Sequence, residues 1–232
     1  SKHIAIMTKC KDIQERRFYI LTTKKFGWTK DVLINHIENK SFEKYLLNQT
    51  NFDSTVPEVI KNQAKLAVKD MYSFDFLELG EEHSEHELEI ELVRNIRKFL
   101  IEMGNNFAFI GNQYKINIGD TDFYIDLLLY HRVLKCLVAI ELKVGEFKPE
   151  YKGKMEFYLN VLNDNVKLDD ENDSIGIIIC KDKNRAIVEY AIKNSVHPIG
   201  VATYKISNIL PESYRNLLPD AETIADKIDF LL

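Results

Sequence analysis

"DFYIDLLLYHRVLKCLVAIELKVGEFKPEYKGKMEFYL" (residues 122–159) is the stretch whose reading decides the fold. Two apolar runs, "DFYIDLLLYH" and "CLVAIELKV", have the length and apolar content of buried strands, and "HRVLK" joins them. Yet the runs carry Asp126, Glu141 and Lys143, and charged side chains enter a buried strand only when paired or holding a metal. A hairpin turning about Val133–Leu134 pairs residues whose numbers sum to 267. Val-Leu is poor chemistry for a two-residue turn, so a four-residue loop over 132–135 with the same symmetry centre is expected. Asp126 and Glu141 then stand opposite each other, with Cβ atoms about 4.5–5.5 Å apart. Lys143, two residues beyond Glu141, falls on the same face.

Two carboxylates that close repel unless one is protonated or a cation lies between them. Hard oxygen ligands at this spacing suit Mg²⁺ or Mn²⁺. Such a site, with an ammonium beside it, fits phosphodiester hydrolysis. The cation activates water, and the lysine orients or helps deprotonate that water and offsets charge building on phosphorus. The competing reading is a buried ion pair between Lys143 and one of the acids.

Working outward, residues 86–103 repeat apolar groups at helical spacing (Leu88, Leu92, Ile96, Phe99, Met103), and Gly104 stops the pattern. Glu89 shares the inward stripe with Val93, Ile96 and Leu100, which makes it a third candidate ligand, direct or through water. An acid favoured by the helix dipole is the plainer alternative. "FAFIG" and "QYKINIG" read as strand-like runs, and Gly119-Asp120 as a turn. Pro149 opens a helix to about Leu162. "DSIGIIICKD" is a buried strand, "NRAIVEYAIKN" a helix, "HPIGVATYKI" a strand, and a short helix is expected near 211–218. The order α-β-β-β-α-β-α-β predicts an α/β fold with helices packed on a mixed sheet.

Tyr151, Lys154 and Tyr158 lie on one side of the helix after Pro149. With Lys148, Lys152, His131 and Arg132 they form a candidate phosphate-contacting set, against the alternative of snorkelling lysines on an ordinary amphipathic helix. "KDKNR" (181–185) and "HSEH" (83–86) read by default as solvated segments.

The acidic stretch "LGEEHSEHE" (79–87) is the expected boundary between a mostly helical region, 1–80, and a second domain, 84–232. In the first, Thr29 is a candidate N-cap and Thr55 stands three before Glu58, a capping-box spacing. Trp28 is read as core or interface. A chain of 232 residues with 45% hydrophobic and 29% charged residues is of ordinary globular composition. No apolar run approaches a membrane span, and the start "SKHIAIMTKCKD" carries no apolar signal region. Three widely spaced cysteines point to reduced core thiols and a cytoplasmic location. The net charge of −5 weighs mildly against nucleic acid, although a local basic patch can act within an acidic whole. There is no dinucleotide fingerprint, phosphate-binding loop or nucleophile elbow.

At "YIDLLLYHR…LVAIELK" the chain resembles the PD-(D/E)XK nuclease superfamily. Over about 86–205, with "FIGNQYKINIGDTDFYIDLLLYHRVLKCLVAIELKVGEFKPEYKGKMEFYLNVL", "SIGIIICKDKN" and "VEYAIKNSVHPIGVATY", it is similar to the YhcG-type bacterial family. The resemblance implies a restriction-endonuclease-like core, α-β-β-β-α-β, behind a mostly helical N-terminal region. It implies that Asp126 and Glu141 hold Mg²⁺ or Mn²⁺ with the backbone carbonyl of Leu142, and that Lys143 completes the catalytic set. Glu89 matches the first-helix acid. Lys154 and Tyr158 occupy a Gln-x-x-x-Tyr element, with Lys in place of Gln, and Ile125 stands where the motif has proline. Residues 1–80 resemble the end of a longer helical domain, so the chain is expected to be a truncated or short member. The implied partner is nucleic acid, DNA first. Further implied are a homodimer or a subunit partner within a restriction or defence system, and no membrane. The alternative is a catalytically silent binding module on the same fold.

Overall fold

The computed structural model describes residues 1–206 except 39, 81 and 105. The chain forms two compact units, one over residues 1–47 and one that begins at Asn48 and carries the whole sheet.

The first unit holds helices α1 (Lys2–Lys9), α2 (Ile13–Phe26), α3 (Lys30–Glu38) and α4 (Ser41–Leu47). Asp12 caps α2 by accepting from the backbone N–H of Gln14 and Glu15, and Gly27 ends that helix in the left-handed region at φ 64°. Thr29 Oγ1 accepts from the Val32 N–H, as its N-cap reading expects. Phe18, Tyr19 and Leu33 are fully buried, and Trp28 stacks on His36 with ring centroids 3.7 Å apart.

The second unit opens with β1 (Gln49–Thr50), α5 (Phe52–Thr55), α6 (Glu58–Ala67) and β2 (Met71–Ser73). Then follow α7 (Glu85–Arg94), α8 (Ile96–Met103), β3 (Phe107–Ile118), β4 (Thr121–His131) and β5 (Cys136–Glu146). Last come α9 (Glu150–Asn165), β6 (Ile175–Asp182), α10 (Arg185–Ile192) and β7 (Ile199–Lys205). The sheet order is β1-β7-β6-β5-β4-β3, with β2 also pairing β7. Strands β3, β4 and β5 are antiparallel neighbours, whereas β5, β6 and β7 run parallel. This is a restriction-endonuclease-like α/β core.

Strand alternation sends side chains to two cores. Leu127, Leu129, Ile140 and Leu142 pack with Leu88 and Leu92 of α7 and Phe99 and Met103 of α8. Leu128, Ala139, Ile178 and Cys180 pack with Met155, Tyr158 and Leu159 of α9 and Val188 of α10. The thiols of Cys136 and Cys180 are free and buried, and burial pushes both up to about 12. They behave as small apolar groups.

Several expectations change. The division between units falls between Leu47 and Asn48 rather than near 79–87, because β1 and β2 extend the sheet edge along β7. The helix over 86–103 is two helices that break at Asn95, where ψ turns to 30°. "FAFIG" and "QYKINIG" form one long strand with a bulge between Phe109 and Gly111. The Thr55–Glu58 capping box does not form: Pro57 precedes α6 without a side-chain cap, and the Thr55 hydroxyl donates to the Asn51 carbonyl. The 181–185 segment is not a solvated loop throughout. The Lys183 side chain is buried and donates to Asp70 Oδ1 at 2.6 Å and to the Val201 carbonyl at 2.8 Å. The helix expected near 211–218 lies outside the described residues.

Candidate active site

The β4–β5 register sets the site. Leu127 pairs Ile140 and His131 pairs Cys136, so partner numbers sum to 267 and the loop spans Arg132–Lys135. The ladder ends at Leu127 and Ile140. One step further the Asp126 side chain takes over from the backbone: its Oδ2 accepts from the Leu142 N–H at 2.8 Å. Asp126 and Glu141 therefore face one another where β4 and β5 part.

Glu141 is 1% exposed, and one of its oxygens is crowded with cations. Lys143 Nζ lies 2.9 Å and Lys154 Nζ 2.5 Å from Oε1. Its other oxygen, Oε2, is buried without a hydrogen-bond partner. Lys143 also pairs with Glu85 Oε2 at 2.8 Å and sits 5.4 Å from the centre of the Tyr151 ring. Lys154 lies 5.4 Å from the Tyr158 ring, and the Tyr158 hydroxyl donates to the Tyr124 carbonyl at 2.6 Å.

The electrostatics follow from this geometry. Burial, then the Glu141 charge, push the Asp126 carboxyl up to about 6. Burial works against charge on Lys143, but the hydrogen bonds it donates to Glu85 and Glu141 outweigh it and hold the ammonium above the ordinary amine range. The same balance, led by burial and reversed by Glu141, raises Lys154. Lys143 is therefore charged at neutral pH, which favours an orienting and charge-offsetting part over that of a base.

The acids fit a hard divalent cation. The orphaned Glu141 Oε2 and the ionisation-resistant Asp126 are the groups such an ion would relieve. Among the described residues no three His, Cys, Asp or Glu side chains cluster around one point. Backbone oxygen and water would complete the shell, as Mg²⁺ accepts.

The helix from Pro149 brings Tyr151, Lys154 and Tyr158 to the acids. Other expected contacts lie elsewhere. Arg132 is in the hairpin loop at the far end of β4, six residues and roughly 20 Å from Asp126. His131 beside it is buried and accepts from the Leu134 N–H, so it shapes the loop. Lys152 pairs with Glu156 at 3.0 Å, on a different side of α9 from Lys154. Lys148 is exposed just before α9. Glu89 is buried as its stripe predicts, but its carboxylate is held by amides: Asn112 Nδ2 at 3.0 Å and Gln113 Nε2 at 2.6 Å. Sequence reasoning missed Glu85, Asn112 and Gln113. For Gln113 a signal existed: a two-residue Gly119-Asp120 turn pairs residues summing to 239, which sets Gln113 opposite Asp126.

A family model described as "YhcG PDDEXK nuclease domain" matches residues 65–219. The curated protein "Putative nuclease YhcG" of Escherichia coli (strain K12) is 32% identical over 221 residues. That alignment takes in 94% of this chain and 56% of the relative, so the chain spans about half the relative's length. A solved structure, "crystal structure of a repair endonuclease from Pyrococcus abyssi", aligns with 15% identity and a TM-score of 0.36. It covers 53% of this chain and 46% of that one.

Proposed function

Because the chain belongs to the YhcG PDDEXK nuclease domain family, we propose that it hydrolyses phosphodiester bonds in nucleic acid, DNA first, with Mg²⁺ or Mn²⁺ held by Asp126 and Glu141. The observation that carries this reading is the buried, unpartnered Oε2 of Glu141, the carboxylate whose charge, after burial, helps to raise the neighbouring Asp126 carboxyl. The ion supplies Lewis acidity toward water and a phosphate oxygen. Asp126 and Glu141 would hold it, with the Leu142 carbonyl as a backbone contact. The Leu142 N–H fixes one Asp126 oxygen in place. Lys143 orients the attacking water and offsets charge that builds on phosphorus. Lys154, half-exposed beside Glu141, is available to a backbone phosphate, with Tyr158 behind it. The unit that begins at Asn48 is proposed as the catalytic region, in a cytoplasmic protein. A second copy or a defence-system subunit is the expected partner.

The silent binding module has one observation in its favour: Lys143 is only 9% exposed and tied to two acids. A cleavage assay with Mg²⁺ or Mn²⁺ on single- and double-stranded DNA and RNA separates the readings. The unsubstituted chain should cut, and Asp126→Ala and Lys143→Ala should not. Equal cutting by all three sinks the site assignment. No cutting together with tight binding favours the module.

A further inference from the structure

Glu89 is an acid 5% exposed on the inward side of α7, and its two carboxylate oxygens are taken by the side-chain amides of Asn112 and Gln113. The Gln113 amide also reaches Asp126 Oδ1 at 3.4 Å, the oxygen that the Leu142 N–H leaves free. Gln113 holds this position at a conformational cost. Its neighbours Asn112 and Tyr114 pair regularly with Leu127 and Ile125, but Gln113 itself has φ 43° inside a strand. The other non-glycine residues with positive φ among those described, Lys40, Asp120 and Lys135, sit in turns. A left-handed glutamine within a strand persists only where surrounding contacts over-determine it. Here those contacts are the short bond to Glu89 and the regular pairing on either side.

We infer that Gln113 is a positioning residue that fixes the free oxygen of Asp126, and that Glu89 acts through Gln113 rather than by touching the metal. This rests on the metal site proposed above. The chain of contacts runs from a buried acid, through an amide, to the outer oxygen of a ligand. It is the arrangement by which outer groups orient metal ligands and sharpen their affinity.

The test is Mn²⁺ titration by calorimetry on the purified chain without nucleic acid. Gln113→Ala should raise the Mn²⁺ Kd about 10- to 100-fold, the usual effect of losing such a partner. Gln113→Gly accepts the positive φ without strain and should show the same loss while melting higher than Gln113→Ala. Gln113→Asn keeps an amide on a residue that tolerates this backbone and should recover part of the affinity. Glu89→Ala should weaken binding, and Glu89→Ala with Gln113→Ala should be no weaker than Gln113→Ala alone. If the double variant loses a further tenfold or more, Glu89 acts independently and the relay is wrong. Unchanged affinity in folded Gln113→Ala and Gln113→Gly overturns the positioning role alone. If the unsubstituted chain binds no Mn²⁺, the metal site and this inference fall together.

Discussion

Asp126→Asn should make the metal-free protein more stable. The Asp126 carboxyl is pushed from 3.8 to about 6 by burial and by Glu141. At pH 7.5 it is ionised in both the folded and the unfolded chain. Holding it ionised in the fold then costs about 3 kcal/mol, at roughly 1.36 kcal/mol per pH unit between the two values. Asparagine keeps an oxygen that can accept from the Leu142 N–H and carries no charge to repel Glu141. Because the folded pKa is raised, the penalty is complete above about 6 and fades as pH falls toward 3.8. The gain should therefore shrink to about 1 kcal/mol at pH 4.5. For a chain of 232 residues, 3 kcal/mol corresponds to a rise in Tm of about 6–12 °C, at ~2–4 °C per kcal/mol. The assay is thermal and urea unfolding in EDTA at pH 7.5, 6 and 4.5. With Mn²⁺ at ten times its Kd, the unsubstituted chain should gain about 1.4 kcal/mol and the variant nothing. A variant no more stable than its parent at pH 7.5, or a gain that does not change with pH, would refute the electrostatic account of the site.

Lys154→Met removes one of two ammonium groups competing for Glu141 Oε1, so Mn²⁺ affinity by calorimetry should rise severalfold while the KM for nucleic acid increases. Asp70→Ala leaves Lys183 buried without its acid and should cost about 3–5 kcal/mol in urea unfolding. His131 is held down at about 4 by burial, so the stability it contributes is present above pH 6.5 and lost as pH falls toward 4. Relative to His131→Asn, which preserves an acceptor for the Leu134 N–H, the parent should lose about 2 kcal/mol between pH 7.5 and 5.

The sequence by itself determined the strands, their register and the face on which the chemistry sits. A loop centred on Val133–Leu134 and a turn at Gly119-Asp120 leave little freedom, because a one-residue slip would turn Leu127, Leu129 and Ile140 out of the core. Asp126, Glu141 and Lys143 were legible for the same reason: charge on a buried alternation is visible in one dimension. The tertiary structure alone decided what surrounds them. Glu85 reaches Lys143 across 58 positions of chain, Asp70 reaches Lys183 across 113, and β1 and β2 join an edge strand about 150 and 130 residues later. No local period encodes such meetings, since helix placement on a sheet is set by the summed packing of many side chains. The lysines of α9 divide the same way: Lys152 meets Glu156 four residues on along its own helix, a local spacing, whereas only the docking of the helix on the sheet brought Lys154 to Glu141.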